Sequence, residues 1–188
     1  MALALLSNRI RATAPETFRF FAQEGVSIRV ISGDNPVTVS EVARRAGIAG
    51  AERYIDASTL KTEGDFARAA RECTVFGRVT PDNKKKLIRA MKKEGHTVAM
   101  TGDGVNDVLA LREADCGIAM ASGSQAASQV AQLVLLQSDF AAMRGVVGEG
   151  RRVINNIQRA AALFLVKNIF SVLLAFISMF ATFPYPIM

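Results

Sequence analysis

The sequence predicts an α/β fold in which a mostly parallel sheet is followed by a long helix that becomes transmembrane. Short β-rich runs alternate with capped helical segments through most of the 188 residues, half of the residues are hydrophobic, and the last apolar stretch is long enough to cross a bilayer. Strands that alternate with helices form parallel sheets covered on both faces. Ligands of such sheets bind at the carboxyl ends of the strands.

The first elements are predicted from β-rich runs and from capping residues. The apolar residues 1–6 predict a strand, because they lack the basic leader and the length of a signal peptide. Residues 26–31 alternate in the manner of a second strand. Asn35 and Pro36 then supply an N-cap and a first-turn proline, so we expect a helix to run to about Arg45.

The later elements follow the same signals. Thr80 with Pro81 caps one helix, and Ser138 with Asp139 caps a last helix that runs into the apolar segment. In chain order we predict a peripheral strand and helix within residues 49–72, strands at 74–79, 97–100, 117–120 and 133–136, and helices at 81–94, 108–114 and 124–131.

The excess of positive charge lies beside the most apolar part of the chain. The formal net charge is +6, from 23 lysines and arginines against 17 acidic residues. Residues 151–188 hold four of the basic side chains and no acidic one. This pattern favours a membrane surface over nucleic acid, and the lysine run at 84–86 has no aromatic neighbours on which bases would stack. We therefore expect no nucleic-acid partner.

The apolar segment that starts at Ala160 predicts a membrane-spanning helix. Its 24 residues include only two strongly polar ones, Lys167 and Asn168. A helix of that length reaches about 36 Å, which exceeds a hydrocarbon core of about 30 Å. The basic residues before it predict that residues 1–150 lie on the cytoplasmic side. A buried helix of a soluble protein is the less favoured alternative, because such helices rarely stay apolar for so long.

The string Thr-Gly-Asp-Gly-Val-Asn-Asp at residues 101–107 carries the strongest chemical signal. It follows an apolar strand, so it lies at the ligand-binding edge of the sheet. Asp103 and Asp107 can direct two carboxylates to one point, and hard oxygen ligands of this kind suit Mg²⁺ shared with a substrate phosphate. A tight turn without a metal is the alternative for a Gly-Asp-Gly alone, but the full string after a strand favours the metal.

Two further segments predict phosphate contacts. Ser32 and Gly33 end a strand and open a helix, so a hydroxyl and loop amides are available to an anion. Lys84 falls in the first turn of a helix, where a cation opposes the helix dipole, and this mild conflict indicates a phosphate ligand. An unoccupied capped turn and a solvated lysine are the respective alternatives.

Together these segments resemble the phosphorylation domain of P-type cation-transporting ATPases, in the haloacid-dehalogenase-like superfamily. The order agrees with that family: a Ser-Gly-Asp loop, an R-V-x-P-x-x-K segment and a TGDGVNDxxAL string, here at residues 32–34, 78–84 and 101–111. The resemblance covers nearly the whole chain and implies a Rossmann-like, haloacid-dehalogenase-like sheet. It also implies a partial phosphorylation domain at residues 1–150, and a stalk with the fifth transmembrane helix at 151–188.

The family transfers the γ-phosphate of ATP to an aspartate in a DKTG motif and then hydrolyses the aspartyl phosphate. By position, the resemblance implies that Asp103 ligates Mg²⁺ with Asp107 in support. It further implies that Ser32, Gly33, Lys84 and Asn106 hold the phosphate, and that Asp34 and Arg78 lie toward the nucleotide.

The chain departs from the family in one decisive respect, because no aspartate in it begins a DKTG motif. The resemblance therefore implies that the nucleophile, the nucleotide and actuator domains and the other membrane helices lie in other segments of a pump of the plasma membrane. A lone crossing that ends at Pro184 and Pro186 fits a piece of such a protein. Asn168 falls where some calcium pumps carry a cation ligand, so Ca²⁺ is the first candidate for the transported cation.

The expected function is thus a share in an ATP-driven cation pump, with negligible activity of this chain by itself. Two alternatives remain open. The first is a truncated remnant or regulatory module that binds Mg²⁺ or phosphate without catalysis. The second is a soluble phosphatase of the same superfamily. It would have an Asp-x-Asp motif near the start and no membrane helix, whereas the sequence lacks such a motif and contains a long apolar segment.

Overall fold

The structure, a computed structural model, describes residues 10–181, with side chains to residue 179. The chain divides into two compact units, Met1–Ala142 and Met143–Met188, and each is described by itself. The strand predicted at residues 1–6 and the two prolines predicted to end the last helix lie outside the described residues. The division of function between residues 1–150 and 151–188 stays a prediction.

The predicted α/β class is confirmed, because helices and strands alternate through the described part of the first unit. Its helices are α1 (Ala14–Gln23), α2 (Pro36–Arg45), α3 (Glu63–Glu72), α4 (Pro81–Lys93), α5 (Val108–Glu113) and α6 (Gln125–Val130). Its strands are β1 (Val30–Ile31), β2 (Tyr54–Asp56), β3 (Val75–Gly77), β4 (Ala99–Gly102), β5 (Cys116–Met120) and β6 (Leu133–Leu135).

All strand pairs are parallel, as the alternation predicts, but the strands form two three-stranded sheets. The orders are β1-β3-β2 and β4-β5-β6. In the first sheet, Val30 and Tyr54 both lie opposite Val75. The loops after β1, β3 and β4 therefore leave from the carboxyl ends of parallel strands, which is the edge where ligands bind.

Hydrophobic cores cover both faces of the first sheet, because successive strand residues point to opposite sides. Val75 packs with Val39 and Ala43 of α2 in the smaller core. Phe76, the next residue, belongs to the larger core with Leu87 of α4. Residues from both sheets contribute to this larger core, in which α4 packs against α3 and α5, and α5 packs against β4 and β5.

Capping residues set the helix ends where the sequence predicts them. The Asn35 side chain accepts from the amide of Val37 at 3.0 Å and starts α2. The Thr80 hydroxyl accepts from the amide of Asn83 at 3.3 Å and starts α4. Positive φ at Gly95, +87°, ends that helix with a conformation that glycine adopts without strain.

Helix α1 has no counterpart among the sequence predictions, and β1 is shorter than predicted. The helix begins after Thr13 and has Pro15 in its first turn. Its aromatic side chains pack on a distant residue: the ring centroids of Phe18 and Phe21 lie 6.2 and 5.5 Å from that of Phe140. The segment carries local helix signals, with Pro15 in the first turn and Thr17 and Phe21 buried on one face, which the sequence analysis does not use.

The described part of the second unit is one long helix, α7 (Met143–Ala181), of 39 residues. At about 1.5 Å per residue it is roughly 58 Å long. Its most apolar window has a mean hydropathy of 2.2, and within the described residues it is the single helix long and apolar enough to cross a membrane. Asp139 precedes it and accepts from the amide of Ala141 at 2.9 Å, in the short helical turn Phe140–Ala142.

The close packing of β3 against α2 requires glycine at position 77. A Cβ on Gly77 would overlap the backbone of Pro36, the first residue of α2. We expect Gly77→Ala to lower the free energy of unfolding by about 1–3 kcal/mol through overpacking. Pulse proteolysis in urea, on the full chain in detergent micelles, measures this change.

Gly64→Ala is the matched control, because Gly64 lies inside α3 and an added Cβ would meet nothing closer than the Thr62 hydroxyl at 3.8 Å. Alanine there should stabilise the chain by up to about 1 kcal/mol. Equal effects of the two substitutions would contradict the close approach of α2 to β3.

Candidate functional site

The loop after β1 offers a hydroxyl and an open amide. The Ser32 hydroxyl donates to an Asp34 carboxylate oxygen at 3.2 Å and accepts from the amide of Asp34 at 3.2 Å. Gly33, between them, is exposed, and its amide has no acceptor among the described residues. A backbone N–H in this setting can bind one oxygen of an anion at the start of α2.

The loop after β3 holds the first loop in place through its backbone. The amide of Arg78 donates to the carbonyl oxygen of Asp34 at 2.8 Å, and the amide of Val79 donates to that of Ser32 at 3.0 Å. Arg78 adopts φ +50°, which costs a non-glycine residue about 1 kcal/mol. The strained residue thus lies where two loops are fastened together.

The side chain of Arg78 is already paired within the site. Its guanidinium donates to a carboxylate oxygen of Asp56 at 2.8 Å, at the end of β2. Hydrogen bonds from the Ser58 hydroxyl and amide, with a smaller contribution from Arg78, hold the pKa of Asp56 below its usual value. Asp56 therefore stays charged and orients the arginine.

Lys84 and Asp107 form a buried ion pair between the first turn of α4 and the loop after β4. The Lys84 ammonium lies 2.6 Å from one carboxylate oxygen, and the two side chains are only 13% and 10% exposed. The other Asp107 oxygen accepts from the amide of Gly104 at 3.1 Å. A Cβ on Gly102 would overlap the Asp107 side chain, so this glycine lets the loop wrap around the carboxylate.

Asp103 differs from Asp107, because its carboxylate is exposed and has no ion-pair partner within residues 10–179. Its carbonyl oxygen accepts from the amide of Ser124 at 2.7 Å. A Cβ on Gly123 would overlap the Asp103 backbone. Gly123 therefore supports Asp103 from behind, a role that the sequence analysis does not predict. Asn106 is exposed in the adjoining turn.

The contacts join the predicted site residues at one edge of the molecule. Ser32 and Asp34 bond the loop after β3, that loop starts α4, and Lys84 of α4 pairs with Asp107. Asp103 lies four residues before Asp107 in the same loop. A cavity of about 340 Å³ opens beside Asp103, with Arg11, Met120, Ser122 and Asp139 among the residues that line it.

The donor set fits Mg²⁺ better than a transition metal. Within the described residues, no group of three or more His, Cys, Asp or Glu side chains could hold a metal ion. Mg²⁺ needs no such cluster, since it usually binds one or two carboxylates and completes its shell with water and substrate phosphate. Both Asp107 oxygens are engaged, so Asp103 supplies the available carboxylate.

Asn168, the predicted ligand of a transported ion, belongs to the second unit. It lies on α7 beside Lys167, and both side chains are exposed. The lone ammonium of Lys167 makes this position unfavourable for a cation unless other segments contribute negative charge.

Comparison with known proteins gives close relatives. Residues 2–115 match the haloacid dehalogenase-like hydrolase family. The calcium-transporting ATPase CtpE of Mycolicibacterium smegmatis is 53% identical over 93% of this chain, and the probable cation-transporting ATPase exp7 of Streptococcus pneumoniae is 52% identical over 94%. The chain spans 22% and 23% of the lengths of these two proteins.

A solved structure has a similar fold. The catalytic domain of the CPx-ATPase CopB-B, studied for its conformational changes upon nucleotide binding, superposes with a TM-score of 0.55 and 25% identity. The match covers 71% of this chain and 44% of that one.

The ion pair of Lys84 predicts a large effect on stability. Lys84→Met leaves the Asp107 carboxylate buried without its counter-charge, so we expect a loss of about 3 kcal/mol in the free energy of unfolding. Urea denaturation of the full chain in micelles, read by pulse proteolysis, gives the value.

Lys86→Met serves as the control, because Lys86 pairs with Asp82 at 2.6 Å on the exposed surface of the same helix. Surface pairs of this kind contribute about 0.5 kcal/mol or less. A Lys84→Met variant as stable as the control would show that the pair does not join the two loops.

Proposed function

The chain belongs to the haloacid dehalogenase-like hydrolases, among their P-type cation-transporting ATPases, and we propose that it supplies the phosphate- and Mg²⁺-binding part of an ATP-driven cation pump. The observation that carries this proposal is the buried pair of Lys84 and Asp107. This pair joins the first turn of α4 to the loop that holds Asp103. The relatives that are more than half identical are named as cation- or calcium-transporting ATPases.

In the proposed reaction, an aspartate carboxylate oxygen attacks the γ-phosphorus of ATP and ADP leaves. Water then attacks the aspartyl phosphate, which releases inorganic phosphate and restores the carboxylate. Asp103 would hold Mg²⁺, which would supply positive charge to the transferred group when bound. The Ser32 hydroxyl and the Gly33 amide orient its oxygens, so the enzyme acts mainly by position and charge.

Lys84 can serve both the fold and the reaction. An ammonium group has three N–H donors, and its bond to Asp107 uses one of them. The remaining donors are available to phosphate oxygens. Asp107 in this proposal is a positioning residue: it fixes the lysine and, through the Gly104 amide, the shape of the Asp103 loop.

The nucleophile would come from another segment, since the sequence contains no DKTG motif. We propose that this segment, the nucleotide and actuator domains and further membrane helices are the partners of the chain. Its share of about a fifth of the length of its relatives supports this proposal. Asp34 and the Arg78–Asp56 pair would face the nucleotide.

Helix α7 would cross the plasma membrane with the first unit on the cytoplasmic side. The apolar helix and the basic residues of 151–159 support this orientation. Ca²⁺ is the proposed cargo, because CtpE of M. smegmatis is named for it. Asn168 would contribute one neutral oxygen ligand, with the charged ligands on other helices.

The metal assignment predicts that Mg²⁺ binding depends on Asp103. Asp103→Asn removes the available carboxylate, so Mg²⁺ affinity in the presence of inorganic phosphate should fall at least about tenfold. Isothermal titration of the full chain in micelles measures the affinity. Asp82→Asn, in a carboxylate paired on the exposed surface of α4, should leave it unchanged; similar affinities of the two variants would remove Asp103 from this role.

The pump assignment predicts that the chain works when the missing segments are supplied. We expect no vanadate-sensitive ATP hydrolysis by the chain itself. If the chain replaces the matching region of CtpE from M. smegmatis, the chimera should form an acid-stable phosphoenzyme from labelled ATP, and Lys84→Met in the chimera should abolish it. A folded chimera that binds Mg²⁺ but forms no phosphoenzyme would favour a non-catalytic module.

A further inference from the structure

A row of three polar residues lies at the amino ends of the first sheet, away from the loops described above. Arg29, Arg53 and Thr74 each precede a strand by one residue. The strand register places the three next to one another, with Thr74 in the middle, because Val30 and Tyr54 both lie opposite Val75. Backbone hydrogen bonds fix the row: Val30 donates to Thr74 at 2.9 Å, and Thr74 donates to Arg53 at 2.8 Å.

The row brings two guanidinium groups together without a counter-charge. Neither Arg29 nor Arg53 forms an ion pair with a carboxylate in the part of the chain that the structure describes, whereas Arg71, Arg78 and Arg89 of the same unit do. Partial burial, with the like charge of Arg53, lowers the pKa of Arg29. An anion bound between Arg29 and Arg53 would offset both the partial burial of Arg29 and the repulsion between the two positive charges.

The position of Arg53 is built into the surrounding backbone. Its guanidinium donates to the buried Thr74 hydroxyl at 3.4 Å. The same group fills the space beside Gly50 that a Cβ would occupy, and Gly50 has φ +75°, a conformation that favours glycine. The arginine is therefore held over the row before any ligand arrives.

We propose that the guanidinium groups of Arg29 and Arg53, on either side of the buried Thr74, form a binding site for a small tetrahedral oxyanion of the class of inorganic phosphate. The two forked guanidinium groups match the oxygens of such an anion, and they bind it more strongly than ammonium groups do. The site is separate from the proposed phosphoryl site, since it lies at the opposite ends of the same parallel strands.

Cys73, next to Thr74, gives a local readout. Burial raises the pKa of its thiol, with a contribution from Glu72, while both arginines act to lower it. A bound anion would neutralise the arginines and raise this pKa further. The other cysteine, Cys116, lies at the start of β5 and is removed by Cys116→Ser.

The experiment measures the rate at which Cys73 reacts with a disulfide reagent in the full Cys116→Ser chain in micelles. Inorganic phosphate is titrated without Mg²⁺, and chloride at equal ionic strength is the reference. The reaction should slow about threefold at saturation, because a higher pKa leaves fewer thiolates, and the greater nucleophilicity of each thiolate offsets only part of that loss.

Arg53→Gln removes the charge at an exposed position and should raise the phosphate concentration that gives half of this effect at least about tenfold. Arg45→Gln, an exposed arginine of α2, is the matched control and should leave the effect intact. The proposal is overturned if phosphate has no effect beyond that of chloride, or if Arg53→Gln and Arg45→Gln respond to phosphate alike. Phosphate bound at the other edge of the sheet would give this second result.

Discussion

The buried pair of Lys84 and Asp107 is the constraint on which the candidate site depends. A lysine in the first turn of a helix opposes the helix dipole, and burial adds to its cost. The Asp107 carboxylate at 2.6 Å compensates for both, so the pair links the first turn of α4 to the loop after β4. Gly102 and the amide of Gly104 then shape that loop around the carboxylate and leave Asp103 exposed to solvent.

Parallel strands separate two kinds of polar site in this chain. The carboxyl ends carry exposed loops that glycines allow to bend, which suits a reaction with a large, mobile substrate. The amino ends carry side chains fixed by strand register, among them the pair of arginines around Thr74. In our proposals, the phosphoryl group would lie at the carboxyl ends of the strands of the first sheet, beside the loop after β4 of the second sheet, and the stationary anion would lie at the amino ends.

Sequence predicted the helices and their caps best, because Asn35 and Thr80 act on amides two or three residues away. It identified the Asp103 string and the lysine of α4 for a similar reason, since both stand in compact local motifs. It missed α1, whose packing partner is Phe140, and it missed the partner of Lys84, which lies 23 residues away. From the sequence, the conflict of Lys84 with the helix dipole indicates a phosphate; in the structure, Asp107 resolves the same conflict within the protein.

The central claim is that the loops after β1 and β4 and the first turn of α4 share one phosphoryl site. The most direct test measures whether all three lie close to one bound metal ion. Mn²⁺ in place of Mg²⁺, added with phosphate to the full chain in micelles, broadens the NMR signals of nearby amides. The account predicts that the amides of Gly33, Lys84 and Asp103 broaden together at the same low Mn²⁺ concentration, and that Asp103→Asn abolishes all three effects. Broadening confined to the Asp103 loop would contradict a shared phosphoryl site.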